Sequence, residues 1–120
     1  MELCSCWFAL DDATPENGCM QAIPGDYRRG ALPHINVTDD FVMDPKCYDE
    51  KQAVLAPLAA GGGLFFHSLA PHYTAPNRST KWRRAIALSY MSAHSRYTGK
   101  AAPGPEYLTI AGQSYPGCVR

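Results

Sequence analysis

The chain has 120 residues, 46% of them hydrophobic, and its 11 basic and 11 acidic side chains cancel to a formal charge of zero. That length suits one domain, and the apolar share excludes global disorder. The balanced charge leaves no electrostatic footprint for nucleic acid or an anionic membrane, and no 18-residue apolar run suggests a membrane span.

The first six residues, Met1-Glu2-Leu3-Cys4-Ser5-Cys6, lack the basic start and long apolar stretch of a secretory signal. Five cysteines, an odd number, then read as reduced thiols in a cytoplasmic protein. Cys4 and Cys6 lack the CxxC spacing of a zinc site. Trp7-Phe8-Ala9-Leu10 is the first predicted strand. The turn after it ends in Glu16-Asn17-Gly18, and Asn-Gly is a hairpin signal because both residues tolerate positive φ. The returning strand is 19–23, stopped by Pro24-Gly25. Residues 26–51 are polar and irregular, a long loop with one short strand near 34–37. Residues 53–58 form another strand, which Pro57 assigns to an edge or an end. Gly61-Gly62-Gly63 is a turn, and 64–68 and 83–91 are strands. The tail from Gly99 is loop-rich, with 107–110 as a candidate last strand. No repeat and no amphipathic helix longer than two turns is present. Many short strands between glycine and proline turns argue for an all-β sandwich or barrel. Five or six strands fall short of the eight in a jelly roll.

Candidate chemistry begins with 83–90. On a strand, alternate residues share a face, so Arg83, Ala85, Ala87 and Ser89 stand together, opposite Arg84, Ile86, Leu88 and Tyr90. One arginine over three small residues leaves a gap with a planar fork of donors, which suits a small carboxylate. The alternative is a solvated Arg83 whose small neighbours pack against a second sheet. Histidine is the commonest metal-ligating side chain, but His67 and His72, five apart with Pro71 between them, point apart, so at most one is a ligand. His34 and His94 read as structural or surface residues. Trp7 reads as core, and Asp11, Asp12 and Glu16 as capping and solvation of their turn.

Three segments together resemble the phytanoyl-CoA dioxygenase family. Residues 7–20 followed by Ile23-Pro24-Gly25 resemble its central hairpin. Leu64-Phe65-Phe66-His67-Ser68-Leu69-Ala70-Pro71-His72, then Asn77-Arg78-Ser79, resemble the strand that carries its distal iron-binding histidine. Trp82-Arg83-Arg84-Ala85-Ile86-Ala87 resembles the next strand, with the 2-oxoglutarate-binding arginine. The match covers most of residues 7–98. It implies a double-stranded β-helix, a jelly-roll barrel, of which residues 1–98 would be the C-terminal part, with its N-terminal strands missing and 99–120 as a loop-rich tail of the same domain. It further implies an iron(II)/2-oxoglutarate-dependent dioxygenase that hydroxylates a small organic substrate with dioxygen, releasing succinate and carbon dioxide. His72 would be the distal iron ligand. Arg83 would clamp the far carboxylate of 2-oxoglutarate, with Thr74 and Trp7 lining the same pocket. His67 matches a recurrent histidine that is not a ligand.

The chain departs from the family in one respect that bears on the metal. The family's other two ligands form a His-x-Asp pair upstream of the tryptophan strand, and these 120 residues contain no His-x-Asp or His-x-Glu. One imidazole does not hold iron(II) usefully, so the chain is expected to be inactive, or nearly so, by itself. The alternatives are a non-catalytic truncated remnant and a cupin-like module that binds a small carboxylate through Arg83. Every oxygenase expectation requires His72 and Arg83 to project into one interior.

Overall fold

The computed structural model describes residues 3–38, 40–97 and 107–119. Eight strands follow in chain order: β1 Leu3–Ala9, β2 Met20–Ala22, β3 His34–Val37, β4 Asp40–Met43, β5 Val54–Ala56, β6 Gly63–His67, β7 His72–Thr74 and β8 Ala85–Met91. The only helical pieces among the described residues are three single-turn 3-10 segments, all within 26–52. The fold is therefore all-β, as the turn spacing predicts.

Among the described residues the strands form two three-stranded antiparallel sheets and a separate hairpin. The first sheet has the order β6-β1-β8, the second β5-β2-β7, and β3 pairs only with β4. β1 sits in the middle of the first sheet, with Trp7 opposite both Leu64 and Ala87. Residues directly opposite one another share a face, so one face of this sheet carries Ser5, Trp7, Ala9, Leu64, Phe66, Ala85, Ala87 and Ser89. In the second sheet Met20 lies opposite Ala56 and Thr74, and Ala22 opposite Val54 and His72. Trp7, Ala9 and Met20 join Ala13 and Cys19 in one buried cluster, with Leu58, Leu64, Phe66 and Ala85 packed around it. The two sheets thus meet through the Trp7 face of one and the Met20 face of the other.

The core is small, and no buried leucine, valine or phenylalanine contributes to it. The radius of gyration is 16.2 Å, against about 14 Å for a compact chain of this length. The face of the first sheet opposite Trp7 stays open, with Phe65 64%, Ile86 46%, Leu88 42% and Tyr90 41% exposed.

Asn17-Gly18 does not close a hairpin: β1 and β2 belong to different sheets, and residues 10–19 form the corner that carries the chain between them. Asn17 is buried at 3% exposure. Its Oδ1 accepts from the Thr14 backbone N–H at 2.7 Å, and its Nδ2 donates to the Asp12 carbonyl at 2.7 Å. Gly18 has φ +85°, and a Cβ there would lie 2.1 Å from the Ala75 carbonyl oxygen. Gly18 supplies the left-handed backbone and the close approach, which a corner needs as much as a hairpin does. The loop at 26–51 holds a second strand, β4, beside the expected β3. Residues 107–110 are not a strand. The expected edge position of the Pro57 strand is borne out, since β5 pairs only with β2 and ends at Ala56.

Candidate functional site

β8 begins at Ala85, and Arg83 and Arg84 enter it on opposite sides. Arg84 is satisfied: its Nε and Nη2 donate to the two Asp11 carboxylate oxygens at 2.8 Å each, and its backbone N–H donates to Oδ2 at 2.9 Å. Arg83 turns the other way and is half-buried. Its Nε donates to the Asn17 carbonyl at 3.3 Å, and its Cζ lies 5.9 Å from the Trp7 ring centroid. No carboxylate pairs with Arg83 among the described residues. Two adjacent arginines therefore divide between an ion pair and an inward-facing cation without an acid.

His72 opens β7, opposite Ala22 on the face that also holds Met20 and Thr74. Its ring lies 4.6 Å from the Phe66 ring, and Phe66 belongs to the Trp7 face of the first sheet. Nδ1 of His72 is 2.8 Å from the Ala70 carbonyl. A carbonyl only accepts, so Nδ1 carries the proton and Nε2 of the neutral ring presents its lone pair. His67 has the opposite arrangement: its Nδ1 accepts from the Leu69 N–H at 3.1 Å, and its ring stacks on Tyr27 at 4.9 Å. It also stands opposite Cys4, away from the Trp7 face. The expected divergence of the two histidines holds, and the backbone turn between β6 and β7 produces it.

His72 and Arg83 thus contact Phe66 and Trp7, which are diagonal neighbours across the β1–β6 pair with Cα atoms about 7–8 Å apart. Thr74 is on the inward face of β7, and Trp7 is 6% exposed. On the same inward face, beyond Trp7 from Arg83, the Ser5 hydroxyl lies 2.7 Å from that of Ser68 and 3.4 Å from that of Ser89.

Sequence reasoning missed two contributors. Phe66 was legible only as a strand residue, and its contact with His72 needs the second sheet in place. Asn17 was legible as a turn former, but its carbonyl also fixes Arg83. Asp11 and Asp12 are structural, but they tie their turn to other segments rather than capping it: Asp11 pairs with Arg84, and Asp12 accepts from the Ala60 N–H at 2.8 Å. His94 stacks on Tyr115 at 3.8 Å. Among the described residues, no three or more His, Cys, Asp or Glu side chains converge as a metal site.

The profile of the phytanoyl-CoA dioxygenase (PhyH) family matches residues 1–85. The methylphosphonate hydroxylase of Gimesia maris is 37% identical over 86 residues, 72% of this chain and 32% of that one. Phytanoyl-CoA dioxygenase domain-containing protein 1 of Danio rerio is 33% identical over 96 residues, 74% of this chain and 33% of that one. Among solved structures, EvdO2 from Micromonospora carbonacea var. aurantiaca superposes with a TM-score of 0.67 at 37% identity, covering 76% of this chain and 38% of that one. It is also known complexed with 2-oxoglutarate. The chain spans about a third of the length of the curated relatives it matches. A profile match over 85 of 120 residues, joined to relatives above 30% identity, places this chain in the phytanoyl-CoA dioxygenase family.

Proposed function

We propose that these 120 residues form the cosubstrate wall of an iron(II)/2-oxoglutarate-dependent dioxygenase that hydroxylates a small organic substrate. The carrying observation is Arg83: a half-buried guanidinium facing the interior, fixed by the Asn17 carbonyl and Trp7, with no acidic partner among the described residues. A half-buried cation is costly without a counter-charge, and the planar fork matches a carboxylate. The small side chains of Ala85 and Ala87 stand on the same face as Arg83. Arg83 would hold the far carboxylate of 2-oxoglutarate, with Trp7 and Thr74 beside it, and would orient the cosubstrate toward His72.

His72 would be one iron ligand through Nε2, and the Ala70 carbonyl sets its tautomer. Such a carbonyl orients a metal-binding imidazole and raises its basicity. Iron, when bound, supplies the oxidation of substrate by dioxygen, coupled to conversion of 2-oxoglutarate to succinate and carbon dioxide. The remaining ligands would come from polypeptide outside these residues.

Titration calorimetry with 2-oxoglutarate tests the reading. Replacing Arg83 with Ala should weaken binding at least about tenfold, the loss of one partly exposed charge-assisted pair. R83K should recover part of it, because a point charge lacks the fork. Equal affinity in wild type and R83A would end the proposal. The lack of a converging metal set among the described residues favours one second reading, a cupin-like module that holds a small carboxylate without redox work. Tight, Arg83-dependent binding unaffected by iron(II) or a chelator would select that module.

A further inference from the structure

A cavity of about 530 Å³ lies between the β3–β4 hairpin and the turn joining β6 to β7, where β2 ends and β5 and β7 begin. Its size suits a drug-sized molecule. Ile23, Leu32, Phe41, Val42 and Leu69 give it an apolar wall, and His72 is also among its lining residues. The His34 ring stacks on Phe41 at 5.0 Å with 17° between planes. Nδ1 of His34 lies 2.8 Å from the Leu32 carbonyl, which pins the ring, so the stack forms a flat aromatic ledge. Among the described lining residues Glu50 is the one acidic side chain, and none is a lysine or arginine. His34, which the sequence assigned to a structural or surface role, is exposed and also forms part of this wall.

An apolar cavity with a flat ledge, one carboxylate and no lysine or arginine among its described lining residues discriminates by charge as well as by shape. Polyanions such as nucleotide thioesters meet repulsion from Glu50 and no counter-charge, whereas planar apolar bodies stack on the ledge and a cation gains from the carboxylate. We infer that this cavity takes a ring-bearing apolar small molecule that is neutral or positively charged, with Glu50 as its anchor. As the substrate pocket of an oxygenase it rests on the reading of His72 given above, but its ligand chemistry is open to test without metal or cosubstrate.

Three naphthalene probes of matched size separate the possibilities: 1-naphthylmethylamine, protonated at pH 7, neutral 1-naphthylmethanol and anionic 1-naphthoate. Affinities are measured by calorimetry on the full 120-residue chain. The ammonium probe should bind about tenfold tighter than the carboxylate, with the alcohol between them. E50Q should bring the ammonium probe down to the alcohol and leave the alcohol unchanged. F41A should weaken all three severalfold. Both substituted residues are exposed, so the core is untouched by either change. Equal affinities, a preference for naphthoate, no binding of any probe, or an unchanged ammonium affinity in E50Q each overturn the inference. The two proposals fail separately. Probe discrimination with Arg83-independent 2-oxoglutarate binding sinks only the oxygenase reading, and the converse pattern sinks only the cavity's assignment.

Discussion

Asp11 meets Arg84 through both carboxylate oxygens and also accepts from its backbone N–H. The side-chain hydrogen bonds, with the backbone bond second, hold the Asp11 carboxyl at about 2 against an ordinary 3.8. A depressed folded-state value stabilises the fold above the unfolded value, and the contribution is lost as pH falls through the folded one. D11N should therefore show a lower urea midpoint than wild type at pH 7, and that gap should close between pH 4 and pH 2. The pair is largely exposed on the arginine side, so the gap is small. Gly18 is the more demanding position. With φ +85° and the Ala75 carbonyl where a Cβ would stand, G18A combines backbone strain with a clash that only main-chain movement relieves. It should destabilise by about 3 kcal/mol, read by urea denaturation.

At the level of elements, the strands were legible where alternation and turn chemistry agreed. β6 and β8 fall within a residue or two of their predicted spans, and the alternation that separated Arg83, Ala85, Ala87 and Ser89 from Arg84, Ile86, Leu88 and Tyr90 matches the observed register. β7 was not legible. It has three residues, too few for a periodic signal, and its existence depends on pairing with β2, far off in sequence. β4 was lost in a polar surrounding although Phe41-Val42-Met43 is apolar and β-prone. The Asn17-Gly18 corner shows the limit of turn signals: they report a backbone conformation, and whether the flanking strands pair is decided by contacts elsewhere. The candidate site followed the same division. Arg83 and its small-residue face were readable locally, whereas the contacts of His72 with Phe66 and of Arg83 with Asn17 are tertiary.

Across the described residues, apolar surface remains on one side of the first sheet. Phe65, Ile86, Leu88 and Tyr90 share the face opposite Trp7 and are each more than 40% exposed. In the described residues β6 and β8 also leave their outer edges unpaired. Open edges beside apolar faces favour association. The chain should self-associate as its concentration rises, and L88K, which charges the centre of the patch, should shift that onset upward severalfold by light scattering. An unchanged onset would show that another surface drives it. No described helix is long and apolar enough to cross a membrane. In EvdO2 and the curated relatives, about two-thirds of the polypeptide lies beyond the part matched here.

Asn-Gly bonds are the sites where polypeptides age fastest, because the glycine amide nitrogen can attack the preceding side-chain carbonyl and expel ammonia. In the folded chain that side-chain carbonyl is engaged by the Thr14 N–H and the Asn17 side-chain Nδ2 by the Asp12 carbonyl, so folding shields residue 17 from its own chemistry. Unfolded, the bond is unguarded, and cyclisation followed by hydrolysis reroutes the main chain through the side-chain carbon. The carbonyl displaced in that process is the one Arg83 leans on. A single slow deamidation would thus disturb the support of Arg83 without altering Arg83 itself.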